Sequence, residues 1–157
     1  MMALAGCGLT PVYGTNGQAN ILRDAVSFSA PDTVAGFRVR GRLEERLGRA
    51  TAPKFALDVQ LGQNLTPATI TVDGDTTRFN LVGTADWVLR SAAGSSLTSG
   101  QIETFTSYSA TGSTVATEAA ATDATEAAAT DAAARLSVAL ADLIVSRLIL
   151  AAPSLSQ

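Results

Sequence analysis

The residue of this chain best placed for chemistry is its single thiol, Cys7. It closes the run Leu4-Ala5-Gly6-Cys7: an apolar residue, two small ones, then cysteine. Small residues let an extended segment enter a signal peptidase, and the thiol that follows can accept a diacylglycerol. Near the start of the chain, and holding the only cysteine, the motif predicts that Cys7 is a lipid anchor. A secretory signal carries a charged leader and an apolar stretch of roughly 7 to 15 residues. Met1 to Gly6 has neither, so residues 1–6 read as a remnant of such a signal. With Cys7 as the first mature residue, Gly8 follows it where an aspartate would hold many lipoproteins at the inner membrane. The expected location is therefore the periplasmic face of the outer membrane.

Other chemistry is narrowed by what the chain lacks. It has no histidine and one cysteine, so intramolecular disulfides and serine-histidine or cysteine-histidine catalysis are excluded. The usual imidazole and thiolate ligands of a transition metal are absent too, and neither a metal nor any other cofactor is expected. A glycosidase would need two acids flanking a cleft. Glu44 and Glu45 are neighbours on one helix and point apart, while Asp73 and Asp75 bracket a turn, so the chain does not read as an enzyme. Its net charge of -3 argues against a nucleic-acid partner, which calls for a basic field. Ten of the eleven basic residues are arginines, with Lys54 the exception. Guanidinium binds phosphate or carboxylate as a rigid fork, so local phosphate recognition stays open beside a merely solvated role.

The elements around these residues form one domain of 157 residues with 46% apolar content. Gly8 to Asn20, rich in Gly, Pro, Thr and Asn, reads as a tether. The division is a signal remnant at 1–6, a lipidated tether at 7–24 and a folded domain at 25–157, with nothing before Ala25 needed in the core. Ala25 to Ala30 suits a short strand. Pro31 and Asp32 then punctuate a helix to about Leu47, stopped by Gly48 and weakened by Gly41. Val39, Leu43 and Leu47 form its apolar stripe; Arg38, Arg42, Glu45, Arg46 and Arg49 lie on the other side, with Glu45 and Arg49 spaced to pair.

Strands follow. Phe55 to Leu61 alternates, a polar stretch intervenes, and Ile70 and Val72 lead into a hairpin turn at Asp73-Gly74. Phe79, Leu81, Gly83, Ala85, Trp87 and Leu89 then face one way, placing Trp87 in the core. Arg78, Asn80, Thr84, Asp86 and Arg90 face the other. After a turn at Ala93 to Ser96, Thr98 to Ala110 reads as a further strand. Residues 116–123 (ATEAAATD) are repeated letter for letter at 124–131, a local duplication expected in an exposed linker or in projecting helical turns. Leu136, Leu140, Leu143, Ile144 and Leu148 make a strong helical stripe ended by Pro153. The stretch Leu136 to Ala152 carries Asp142 and Arg147 and is shorter than the roughly 20 clean residues of a membrane span. The order β-α-β-β-β-α predicts an α+β two-layer sandwich, two helices on a four-stranded, mostly antiparallel sheet.

Five segments, in this order, carry a family resemblance: Leu4 to Gly14 (LAGCGLTPVYG), Leu43 to Gly48 (LEERLG), Arg78 to Leu89 (RFNLVGTADWVL), Ser107 to Thr117 (SYSATGSTVAT) and Leu140 to Leu148 (LADLIVSRL). Together they resemble the LPS-assembly lipoprotein LptE family in its alphaproteobacterial form. The octad repeat departs from that pattern, in which one shorter linker leads into the last helix. The resemblance implies the same sandwich fold. It also implies a plug-like partner of the LptD β-barrel that helps insert lipopolysaccharide into the outer membrane. Basic residues contact lipopolysaccharide in that family, and Arg78 and Arg90 are the substitutes available here. The competing reading is an auxiliary lipoprotein of a lipid-transporting ABC system, which shares a similar amino terminus.

Overall fold

A computed structural model describes residues 18–70, 76–110 and 118–155. The chain enters through a 3-10 turn, Gln18–Ile21, and continues as β1 (Val26–Ser29), α1 (Val34–Leu47), β2 (Phe55–Ile70), β3 (Thr76–Ser91), β4 (Ser96–Ser109) and α2 (Glu118–Leu155). The sheet runs in the order β1-β2-β3-β4. β1 pairs parallel to β2, and the other two pairs are antiparallel. This is the expected α+β sandwich, with both helices on one face of the sheet.

Local sequence explains the limits of α1. The Thr33 hydroxyl accepts from the Gly36 N–H at 3.1 Å and satisfies a donor the first turn leaves free. At the other end Gly48 takes φ 83°, a conformation glycine reaches at no steric cost, and donates to the Glu44 carbonyl. Between these caps Val39, Leu43 and Leu47 are buried as their spacing predicts. The expected Glu45–Arg49 pair does not form: once the chain leaves the helix at Gly48, Arg49 swings to Glu44, and Glu45 meets Arg42 instead.

The strands exceed their sequence signals. β2 is continuous through the polar stretch after Leu61, held by its rungs to β3 as far as Ile70 opposite Thr76. The register shifts between Pro67 and Ile70, where proline cannot donate to the ladder. The Asp73-Gly74 turn and the pair Asp73 and Asp75 lie outside the described residues. At roughly 3.3 Å per residue, sixteen residues span about 53 Å. α2, with 38 residues, is about 57 Å long at 1.5 Å per residue. A helix this long is therefore matched by the sheet beneath it, and the molecule is elongated.

The core lies between Leu57, Val59, Trp87 and Leu89 of the sheet and Leu43, Leu140, Ile144 and Leu148 of the helices. Trp87 is 4% exposed, as its phase on β3 predicts. It lies opposite Gly100 on β4, where an added Cβ would come within 2.9 Å of the indole. Leu22 is fully buried, so the core reaches back before Ala25, contrary to the expectation from composition. Its signal is a lone leucine beside a tether, too short for any periodicity.

The repeat sits in α2 from Glu118 onward, with no break before the Leu136 stripe. Ala121, Thr125, Ala128 and Ala129 are half-buried and Ala132 is buried. The Ala132 carbonyl accepts from the Thr106 hydroxyl at 3.1 Å, near the end of β4. The helix before Ala132 is about 21 Å long and reaches past the last rung of that strand. Pro153 does not end the helix, which runs to Leu155: so near the carboxyl end few backbone bonds remain for proline to break. By length and composition alone α2 could cross a membrane. Here Leu136, Leu140, Ile144 and Leu148 of its stripe are buried against the sheet and α1, while Leu143 is left 40% exposed.

Candidate functional site

Arg78 and Arg90 lie on the sheet face turned away from α1 and α2, the phase their alternation assigns. Asn80, Thr84 and Asp86 share that face, as do Asp58, Glu103 and the exposed Phe105. The two arginines are twelve positions apart on β3, about 40 Å at strand rise. One headgroup cannot bridge them. Arg78 sits exposed opposite Ser109, at the end of β4. Arg90 lies at the other end, its Nε 3.4 Å from the Asp58 carboxylate. Beside it Ser27, Pro53, Ala56 and Gly94 line a shallow depression of about 350 Å³. The sequence indicates the face of each arginine; the depression depends on loops and a β1 edge that no periodicity marks. Cys7 lies outside the described residues.

The densest charge network joins the two helices. The Arg42 guanidinium donates to both oxygens of Asp142, at 3.0 and 3.1 Å, and to Glu45 at 2.8 Å. Arg46 approaches the same Asp142 carboxylate at 3.4 Å. Hydrogen bonding to Asp142 first, then to Glu45, holds the Arg42 guanidinium above its ordinary range. The arrangement clamps α1 to α2 and offers no proton to transfer. Glu44 and Glu45 are each occupied by an arginine and do not converge on a cleft. Among the described residues no cluster of carboxylates or thiols is arranged to hold a metal ion.

The family model for LptE, described as lipopolysaccharide-assembly, matches residues 24–148. The chain belongs to the LptE family. Its fold recurs in solved lipoproteins. A lipoprotein from Caulobacter crescentus CB15 superposes with a TM-score of 0.65 at 21% identity, covering 87% of this chain and 98% of that one. Rare lipoprotein B from Shewanella oneidensis gives 0.61 at 14% identity, covering 85% and 99%. A minor lipoprotein from Acinetobacter baumannii gives 0.55 at 11%, covering 81% and 91%. At these identities the likeness is one of fold. No curated protein matches the sequence.

Proposed function

We propose that this LptE-family chain is a lipid-anchored lipoprotein that partners an LptD-type outer-membrane β-barrel in delivering lipopolysaccharide to the cell surface. The observation that carries the reading is the family match over 24–148, which spans every strand and most of α2. The charge clamp and the solvated outer sheet face accord with it: they suit a rigid body that binds, not a catalyst. Cys7, acylated, tethers the domain to the periplasmic face of the outer membrane. One acyl chain binds a bilayer only marginally, so stable anchoring needs more than one. Arg78 and Arg90 act as separate phosphate contacts along the outer sheet face, with Arg90 partly neutralised by Asp58.

Affinity purification of the full chain from membranes tests the reading. A large β-barrel should co-elute. Co-elution instead with an inner-membrane transporter or its periplasmic binding subunit would favour the auxiliary role in an ABC system.

A further inference from the structure

The elongated sandwich has two unlike ends. One end gathers the amino-terminal turn, the close of α1, the start of β2, the β3–β4 turn and the last turns of α2. Backbone bonds tie them together: the Asp24 N–H donates to the Leu47 carbonyl at 2.8 Å, that of Lys54 to Ala25 at 2.8 Å and that of Ala92 to Lys54 at 2.9 Å. Leu22, Leu47, Leu148 and Ala152 close the core beneath them. The other end holds the far ends of β2 and β4 and the start of α2.

Charge divides along this axis. Around the first end stand Arg23, Arg49, Lys54, Arg90 and Arg147, against Asp24, Glu44 and Asp58. Glu44 is taken up by Arg49 and Asp58 by Arg90. Arg23, Lys54 and Arg147 are exposed, and among the described residues none of them has a carboxylate within ion-pair distance. At the other end Glu118 begins α2 and Asp123, Glu126 and Asp131 follow it, with Arg78 and Arg135 the basic residues there. Roughly half a charge at each helix terminus, negative where both helices close, reduces this asymmetry without reversing it. Leu97 and Leu150, 41% and 73% exposed, add apolar side chains at the basic end.

The chain that leads back to Cys7 leaves from this same end. Ten residues separate Cys7 from Gln18. Such a stretch reaches about 35 Å when fully extended and about 18 Å as a flexible coil. A bilayer that holds Cys7 is thus kept closer to the basic end than the length of α2.

We infer that this end, with Arg23, Lys54 and Arg147 at its surface, rests on the anionic phospholipid surface that holds the anchor, and that the acidic start of α2 stands away from it. The inference rests on the acylation of Cys7 proposed above and concerns the chain before it meets the barrel. Basic side chains are drawn to anionic headgroups within about a Debye length, roughly 8 Å at physiological salt. Lying along α2 would bring Asp123, Glu126 and Asp131 to those headgroups, and lying on the outer sheet face would bring Asp86 and Glu103. The nearest rival is α1, where Arg38 and Arg40 sit beside Asp32 and Glu45. Three unpaired charges orient the chain; the acyl chains hold it.

The acylated full chain, bound to vesicles of phosphatidylglycerol and phosphatidylethanolamine, tests this. Cys7 is blocked by its lipid, so a fluorophore can be carried by one substitution at a time: Ala93→Cys in the β3–β4 turn, Phe37→Cys on α1, or Ala127→Cys in the acidic half of α2. All three positions are exposed. A quencher on the lipid headgroups should dim position 93 at least threefold more than either of the others. The tether alone brings position 93 nearer to some degree, so charge is the deciding variable. Arg23→Glu together with Lys54→Glu should at least halve the preference, as should high salt. The thermal midpoint should not move, because both side chains are exposed and unpaired. Stronger quenching at position 37, or a preference for position 93 that survives both the reversal and the salt, would overturn the inference. A chain whose mass shows no lipid on Cys7 would remove the anchor itself, and this orientation with it.

Discussion

Trp87 is buried between Val59 and Gly100, and its indole N–H has no acceptor among the described residues. Its contribution is therefore one of volume and apolar area, set against an unpaired donor. Trp87→Ala should destabilise the protein by about 3 to 5 kcal/mol in denaturant unfolding. Trp87→Phe should cost far less, because it also removes a buried donor worth about 1 to 3 kcal/mol of desolvation. The emission of Trp87 should be blue-shifted; a red-shifted maximum in the folded protein would contradict this packing. A second residue-scale test concerns Arg42 and Asp142. A double-mutant cycle of Arg42→Ala and Asp142→Ala should show positive coupling that weakens as salt is raised. Additive losses would mean that the clamp contributes nothing. The faces set by phase were legible in the sequence, those of Trp87 and the two sheet arginines among them. The Arg42–Asp142 contact was not, since a hundred residues separate its partners and only the packing of α1 on α2 brings them together.

At the scale of elements, α1, β3 and the Leu136 stripe were readable because each has one face buried by another element, and burial imposes period. The second half of β2 was not. Gln63, Leu65 and Pro67, on its helix-side face, are exposed, so no covering layer imposes alternation there, and only pairing with β3 marks the strand. Val34 and Phe37 are exposed, and helical phase already sets them away from Val39, Leu43 and Leu47. The repeat belongs to this scale too. An eight-residue change rotates a helix by about 80°, which ought to misalign a packed face. Here the two octads are identical, so deleting 124–131 brings the same alanines and threonine to the positions now lost. The Leu136 stripe keeps its register and only the projecting start of α2 shortens. Thermal stability should be nearly unchanged. A drop of several kcal/mol would show that the turns before Thr125 are packed and not merely projecting.

The whole molecule is a slender sandwich, two long hairpin strands and a helix of matching length, with a compact core toward the end where α1, the amino-terminal turn and the carboxyl end of α2 meet. That shape presents much surface for its mass, which suits a chain that works by fitting against others. Attachment should depend on one atom: Cys7→Ser in the full chain should abolish incorporation of labelled palmitate and release the protein from membranes. Unchanged labelling would place the anchor elsewhere. The measurement closest to the central claim is the arrival of newly made lipopolysaccharide at the cell surface, followed by pulse labelling while this chain is depleted. The account predicts that surface arrival falls and labelled lipopolysaccharide accumulates behind the outer membrane, with recovery when the chain is restored. Normal arrival after full depletion would contradict it.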